Sequence, residues 1–209
     1  MLIFMDLETS GLRADTHSVL EVAVIMTDDA FADIARFTAV AHWLYASDLA
    51  DANSAVRDAF AKFTVDVDPF VLEMHTKNGL WAASMASTMS LDDVDSMLAT
   101  FIAETCAAHG VVPGEKTGPQ LAGNTINFDR AFLQAQLPLT HALLHYRNVD
   151  ITTLNEVARR FWPAVHKDRP RSAGNVHRAE ADVLASLETA RYYARTLGPV
   201  ARAPSSYDL

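Results

Sequence analysis

Four carboxylates and one histidine stand where predicted strands end or predicted helices begin. Asp6 and Glu8 lie two residues apart at the end of a short apolar run, so both side chains project from one face of a strand. Asp129 opens a later helix, and His177 precedes Asp182 at the start of another. Carboxylates on one face repel each other and are costly to bury without a cation. Their oxygens select hard ions such as Mg²⁺ or Mn²⁺, and an imidazole beside them can accept a proton near neutral pH.

Each of these groups also has a structural interpretation that needs no ligand. An isolated Asp-x-Glu pair is common at a solvated strand end, and an acid such as Asp129 complements the dipole of a first helical turn. His177 fits a solvated helix cap. The order of the groups along the chain favours a common site, because Asp-x-Glu is followed by Asn-x4-Asp from Asn124 and then by His-x4-Asp.

The predicted elements form a mixed α/β domain. Apolar and alternating runs predict strands over residues 2–7, 19–27 and 31–42, with Asp28 and Asp29 in a hairpin turn and with two further strands at 120–123 and 148–151. Helical spacing predicts helices at 51–63, 69–76, 91–109, 128–136, 153–161 and 178–197. Glycine and proline place loops at 110–119 and 163–175, the second one flexible. A meander followed by alternating helices and strands predicts a mixed sheet flanked by helices.

Composition limits the classes of function. The chain has 209 residues, a net charge of −9 and about half hydrophobic residues, which is typical of a globular domain. No apolar run reaches the length of a membrane helix, and we expect a cytoplasmic protein. One cysteine, Cys106, excludes an internal disulfide framework. An acidic protein is poorly suited to coat long nucleic acid. Between Arg147 and Arg178, however, basic residues outnumber acidic ones, which is typical of an anion site or of a solvated helix face.

The ordered acids and the segments around them resemble the DEDDh group of 3′-to-5′ exonucleases, and within it the oligoribonucleases. The matching segments cover most of the chain and are MDLETSGL (5–12), MHTKNGL (74–80), AST (86–88), GNT (123–125), DRAFL (129–133), HYR (145–147), DITTL (150–154), ARRFW (158–162) and HRAEAD (177–182). Two stretches depart from the family pattern, namely residues 43–68, which are longer, and residues 166–175.

The resemblance implies a ribonuclease H-like fold with a mixed five-stranded sheet, and a site for two divalent metal ions, Mg²⁺ or Mn²⁺. The implied metal ligands are Asp6, Glu8, Asp129 and Asp182, and His177 is the implied general base. Two such ions about 4 Å apart would activate water and stabilise the departing oxygen. His177 would take the proton from that water.

The resemblance also implies residues that bind substrate. Leu12 matches a wedge between the terminal bases, although a leucine after a turn is also an ordinary packing residue. Tyr146 matches a residue given across a homodimer interface, although a strand tyrosine is commonly a sheet-packing residue. Phe70, apart from the resemblance, would stack on a base as an aromatic residue or belong to the core as a residue of a first helical turn.

Three further residues match positions that cap a 5′ phosphate and so limit substrate length. They are His75, Arg147 and Thr152. His75 on a helix is equally compatible with a hydrogen-bonded core histidine.

We therefore expect one exonuclease domain over residues 1–200 and a loose tail at 201–209. The expected activity is metal-dependent 3′-to-5′ hydrolysis of short oligoribonucleotides, chiefly dinucleotides, to nucleoside 5′-monophosphates by a homodimer. Two alternatives stay open at this point: a DNA exonuclease of the proofreading type, which shares the same acids, and an inactive nucleotide- or protein-binding module on the same fold.

Overall fold

A five-stranded mixed sheet forms the centre of the computed structural model, which describes residues 1–43, 67–171 and 177–198. Its strands lie in the order β3-β2-β1-β4-β5. They are β1 (Leu2–Thr9), β2 (Val19–Thr27), β3 (Asp33–Val40), β4 (Gln120–Gly123) and β5 (Asn148–Asp150). β1, β2 and β3 form an antiparallel meander, whereas β1, β4 and β5 run parallel. The predicted mixed five-stranded sheet is confirmed.

Helices cover both faces of this sheet. Within the described ranges they are α1 (Pro69–Lys77), α2 (Leu80–Ala86), α3 (Leu91–Ala108), α4 (Asn127–Gln136), α5 (Pro138–Leu143), α6 (Ile151–Phe161), α7 (Pro163–Lys167) and α8 (Ala179–Leu197). Both faces of β1 and β2 are buried, so these strands are apolar almost throughout instead of alternating with polar residues.

The side chains of β1 alternate between the two faces of the sheet, and each face packs against different helices. Ile3 and Met5 pack in a core cluster with residues of α3 and α4. Leu2 and Phe4 pack on the other face, in a cluster with residues of α8. Since side chains alternate along a strand, Asp6 and Glu8 continue the α8 face of β1.

Two helices begin at residues that form N-terminal caps. The Asp68 carboxylate accepts hydrogen bonds from the amides of Phe70 (2.8 Å) and Val71 (3.3 Å), with Pro69 in the first turn of α1. Ser90 and Asp93 form a reciprocal capping box at the start of α3. Both helices therefore begin where the sequence predicts.

Several boundaries differ from the prediction. β1 continues to Thr9, and α6 starts at Ile151. The hairpin turn is longer than Asp28-Asp29, since the Asp28 carboxylate accepts hydrogen bonds from the amides of Ala30 and Ala32. The short helices α2, α5 and α7 were not predicted, because five to seven residues carry too little periodicity.

The predicted flexible loop at 163–175 is wrong in its first part. Residues 163–167 form α7, which begins with Pro163 at a favourable helical position. The Tyr192 hydroxyl donates a hydrogen bond to the carbonyl of Val165 (2.8 Å), and this contact fastens α7 to α8. The predicted helix at 51–63, residues 172–176 and the predicted tail at 201–209 lie outside the described residues.

No helix in the described ranges combines the length and the apolar character that a membrane span requires.

Candidate active site

The carboxyl end of β1 brings Asp6 and Glu8 to the edge of the sheet. Strands β1, β4 and β5 are parallel, so their carboxyl ends lie at the same edge of the sheet. These ends are Thr9, Gly123 and Asp150. Ligands commonly bind at such an edge in open α/β sheets. Glu8 is buried and Asp6 is half-buried, so neither carboxylate is freely solvated.

Asp129 is joined to this pair by a backbone hydrogen bond. Pairing between β1 and β4 ends at Phe4 and Ala122, so the amide of Leu7 lies beyond the last strand partner on that side. The Asp129 carboxylate accepts that amide hydrogen bond at 2.9 Å. Asp129 lies in the first turn of α4, and the bond places its side chain against the backbone between Asp6 and Glu8.

The approach of β4 to β1 depends on a glycine. Gly123 has a φ of 159°, and a Cβ there would lie 2.7 Å from the carbonyl oxygen of Met5. A larger side chain would force the two strands apart. This close contact lets the turn after β4 carry Asp129 back to β1.

The start of α8 completes the cluster. Glu8, His177 and Asp182 each present a metal-binding atom, and these atoms lie within 4.8 Å of one another. His177 has a φ of 44°, which is uncommon for a residue with a side chain. The Asn78 side-chain amide donates a hydrogen bond to the His177 carbonyl and so holds this backbone from the α1 side.

Burial raises the pKa of every acid in the cluster, and repulsion from neighbouring cluster acids adds to this at Asp6 and Glu8. Burial raises the pKa of Glu8 to about 8, with Asp182, Glu21 and Asp129 adding repulsion and Arg178 opposing it. Burial also raises the pKa of Asp129 to about 7, although the Leu7 hydrogen bond favours its ionised form. The pKa of Asp6 is raised well above its ordinary value, and that of Asp182 is raised, each chiefly by burial. A cation between these carboxylates would remove the repulsion.

The donor set therefore fits a hard divalent cation. All four acids offer carboxylate oxygens, which are ligands that Mg²⁺ and Mn²⁺ accept and softer metals do not prefer. The buried free thiol of Cys106 belongs to the core cluster on the opposite face of the sheet.

Two of the expected substrate-binding side chains lie on the surface. Leu12 and Phe70 are each 74% exposed, so neither belongs to the core. An exposed apolar side chain is available for contact with a base.

His75, another expected substrate-binding residue, lies in the interior and not on the surface. It is fully buried, and its Nε2 lies 3.1 Å from the carbonyl oxygen of Thr9 and 3.7 Å from a carboxylate oxygen of Glu8. Burial lowers the pKa of His75. This placement agrees with the alternative interpretation of His75 as a hydrogen-bonded core histidine. Its contact with a 5′ phosphate stays a prediction.

Thr152 lies at the carboxyl edge, near the turn that leads to Asp129. Its hydroxyl accepts a hydrogen bond from the amide of Thr125 at 2.9 Å, and Asp150 accepts from the same amide at 3.0 Å. Asp150 also caps α6 through the Thr152 amide. The first turn of α6 is thus fixed beside the 123–125 segment.

Tyr146 and Arg147 lie at the other end of β5. They precede Asn148, the first residue of that strand, so Tyr146 is not a strand residue. The Tyr146 ring stacks on His145, with centroids 4.7 Å apart, and the Arg147 guanidinium lies 5.3 Å from the Tyr146 ring centroid. The ring is 52% exposed.

Sequence analysis missed Glu21 and the role of Arg178. Glu21 is a buried acid within the otherwise apolar strand β2, opposite Glu8 in the strand register. Its carboxylate forms an ion pair with Arg178, next to His177. A lone acid in an apolar strand was the available signal, but its partner lies far away in the sequence.

The exonuclease family model matches residues 3–190. An oligoribonuclease of Corynebacterium diphtheriae is 35% identical over 194 residues, which are 93% of this chain and 81% of that protein. An oligoribonuclease of Mycobacterium tuberculosis is 32% identical over 208 residues, which cover all of this chain and 86% of that protein.

Solved structures support the fold. Exonuclease I from Methylocaldum szegediense superposes with a TM-score of 0.63 at 17% identity. A zinc-bound complex of E. coli exonuclease I with single-stranded DNA has a TM-score of 0.59 at 16% identity. In both, this chain is covered over 93% of its length and spans only 40% of the larger chain. With the sequence match over nearly its whole length, the chain belongs to the exonuclease family and, within it, to the oligoribonucleases.

Proposed function

We propose that this protein is a metal-dependent 3′-to-5′ exoribonuclease that hydrolyses short oligoribonucleotides, chiefly dinucleotides, to nucleoside 5′-monophosphates. The observation that carries the proposal is the meeting of Glu8, His177 and Asp182 within 4.8 Å, with Asp129 bonded to the same strand end. The relatives named oligoribonuclease support the substrate class.

Asp6, Glu8, Asp129 and Asp182 are the residues that would hold the divalent cations, two Mg²⁺ or Mn²⁺ in our proposal. When bound, such cations supply charge neutralisation for the attacking and the departing oxygen of the phosphodiester. The chain itself contributes the fixed carboxylates, whose spacing is set by β1, α4 and α8 before any ligand arrives.

His177 would act as the general base. Its side chain lies beside Glu8 and Asp182 at the edge of the cluster, within reach of a water held there. Transfer of the water proton to the imidazole would leave hydroxide to attack phosphorus. The bond to the 3′ oxygen would then break, and that oxygen would take a proton from the solvent. The released nucleotide then carries its phosphate at the 5′ position.

The other chain residues would bind and orient the RNA. Leu12 and Phe70 offer exposed apolar side chains for the terminal bases. Arg147, Thr152 and His75 are the residues proposed to bind the 5′ phosphate, from three separate places: Arg147 before β5, Thr152 after it, and His75 buried beside the Thr9 carbonyl. The net charge of −9 suits a short substrate, because one or two phosphates need few cations.

A homodimer is part of the proposal. Tyr146 and Arg147 lie at the amino end of β5, whereas the acids lie at the carboxyl edge of the same sheet. An exposed ring that contacts His145 and Arg147 is suited to contact a second copy. We propose that each Tyr146 faces the site of the other subunit, and sedimentation across a dilution series tests this assembly.

The proposed compartment is the cytoplasm.

The proposal is tested by the products from three substrates under Mg²⁺ and Mn²⁺. A 5′-phosphorylated diribonucleotide, a longer RNA and a DNA strand are incubated with the protein, and Asp129→Asn serves as the control for a contaminating nuclease. We expect nucleoside 5′-monophosphates from the diribonucleotide. Preference for the DNA strand would favour the proofreading alternative, and no cleavage of any substrate would favour the binding module.

A further inference from the structure

Glu21 is a buried carboxylate that the reaction described above does not use. It is 4% exposed and lies in β2, between apolar neighbours. In the antiparallel register it stands directly opposite Glu8, so both carboxylates project from the α8 face of the sheet. An acid at such a position is costly unless it is paired.

Its partners are the first residues of α8. The Arg178 guanidinium donates to both carboxylate oxygens of Glu21, at 2.6 and 3.0 Å, and the amide of Ala179 donates to Glu21 Oε2 at 3.0 Å. Arg178 is the N-cap residue of α8, and its own side chain does not cap the helix. Glu21, which belongs to strand β2, therefore supplies the hydrogen-bond acceptor and the negative charge that stabilise the start of α8.

This contact is connected directly to the two catalytic groups at the start of α8, Asp182 in its first turn and His177 just before its N-cap. The amide of Asp182 donates to the carbonyl of Arg178 at 3.1 Å, so the position of Arg178 sets the position of Asp182. His177 is the preceding residue, and its carbonyl is held by Asn78 from the other side. The turn at 177–179 is thus fixed between α1 and β2.

Glu21 holds the Arg178 guanidinium in a bidentate contact. Its carboxylate accepts from both Nε and Nη2 of Arg178, so the direction of the guanidinium is fixed by β2.

We propose that Glu21 is a positioning residue: through Arg178 and the Ala179 amide, it aims His177 and Asp182 at Glu8. This inference rests on the proposed function for the identity of the reaction. The geometry that it concerns does not depend on which nucleic acid is cleaved.

The test compares Glu21→Gln with Arg178→Gln, with the double variant and with Asp33→Asn as a matched control. Asp33 pairs with Arg191 and fastens the other half of α8 to β3, away from the site. Loss of either pair loosens the docking of α8, but only loss of the Glu21 pair reaches His177 and Asp182. Arg178→Lys, which keeps the charge and loses the fork, is the milder variant if Glu21→Gln proves unstable.

Two readouts need no RNA. Hydrogen exchange of the amides at 179–182 is expected to be faster in Glu21→Gln and unchanged in Asp33→Asn. Mn²⁺ affinity, measured by calorimetry, is expected to fall by about 10-fold or more in Glu21→Gln, as is usual when a residue that orients a metal ligand is lost. Wild-type exchange and wild-type Mn²⁺ affinity in Glu21→Gln would overturn the proposal.

The kinetic readout is kcat against KM on the diribonucleotide. We expect kcat to fall by about 10- to 100-fold in each single variant with a smaller change in KM, since misplaced catalytic groups mainly slow the chemical step. The double variant should be no slower than the slower single variant, because the two residues act as one unit. Multiplicative losses would contradict this. If the wild type cleaves no RNA while exchange and Mn²⁺ binding respond as expected, the proposed function fails and the positioning role stands.

Discussion

At the scale of single residues, the site is a cluster of acids whose environment disfavours their charge. Burial raises the pKa of Glu8 to about 8 and that of Asp129 to about 7. The repulsion between these groups destabilises the metal-free fold. A bound cation would remove that repulsion, because metal affinity and folding are linked. A residue at this site can therefore be dispensable for the fold and essential for activity.

Asp129→Asn tests that distinction. We expect hydrolysis to be lost, whereas the metal-free variant keeps its fold and melts about 2 °C higher, because an amide does not repel Asp6 and Glu8. Asp182→Ala should also lose activity. Activity assays and metal-free melting curves measure both effects.

The control is Glu104→Gln, the same change at an exposed residue of α3 on the opposite face of the sheet. It should leave the rate and the melting temperature unchanged. Wild-type rates in Asp129→Asn would contradict the assignment.

His177→Ala separates a general base from a metal ligand. As a base, His177 is worth about 10²-fold or more in the rate constant at neutral pH, and its removal should flatten the acid limb of the pH–rate profile. Mn²⁺ affinity should change little. A steep loss of Mn²⁺ affinity would instead identify His177 as a ligand, and an unaltered acid limb would mean that another group accepts the proton.

At the scale of helices and strands, the sequence is most informative where a boundary has local causes. Asp68 with Pro69, and Ser90 with Asp93, predict the starts of α1 and α3 from neighbouring residues alone. Short helices such as α5 begin for tertiary reasons: Asp95 of α3 accepts the amide hydrogen bonds of Leu139 and Thr140. No local pattern at 138–143 shows that contact.

The same reasoning explains which site residues could be predicted. Asp6, Glu8, Asp129, His177 and Asp182 follow an ordered motif that needs no knowledge of packing. Glu21 and Arg178 are separated by 157 positions, and only the sheet register and the docking of α8 bring them together. His75 likewise carries no sign in the sequence that its Nε2 meets the Thr9 carbonyl.

Ser90→Ala tests the capping box of α3. The Ser90 hydroxyl accepts the Asp93 amide hydrogen bond at 3.1 Å, and its loss should lower the free energy of unfolding by about 1 kcal/mol. Ser96→Ala, an exposed position inside the same helix, should be neutral or slightly stabilising. Urea denaturation measures both variants, and equal stabilities would show that the cap contributes nothing. Neither change should affect hydrolysis, because α3 covers the face opposite the acids.

At the scale of the whole molecule, the acids connect stability to pH. In the metal-free folded protein, Glu8 and Asp129 retain protons up to about pH 8 and about pH 7, whereas in an unfolded chain both are ionised well below neutrality. The folded state thus binds more protons than the unfolded state in this window, so the free energy of unfolding falls as the pH rises. The buried His75, whose pKa is lowered, has the opposite effect, but mainly below about pH 6.5.

We therefore expect the metal-free melting temperature to fall by about 5 °C between about pH 6.5 and about pH 8.5. Mg²⁺ or Mn²⁺ should reverse the fall, because the cations stabilise the ionised acids. Asp129→Asn should show a smaller slope. A melting temperature that rises with pH across this window would contradict the account of the cluster.

The central claim is that this edge of the sheet hydrolyses very short RNA. It is tested most directly by kcat/KM for a 5′-phosphorylated diribonucleotide relative to that for a longer RNA with the same 3′ sequence, measured with one metal and one protein concentration. The account predicts a ratio of about 10 or more in favour of the diribonucleotide, since a site that closes on the 5′ phosphate gains that contact only with a short substrate. A ratio at or below unity would contradict it.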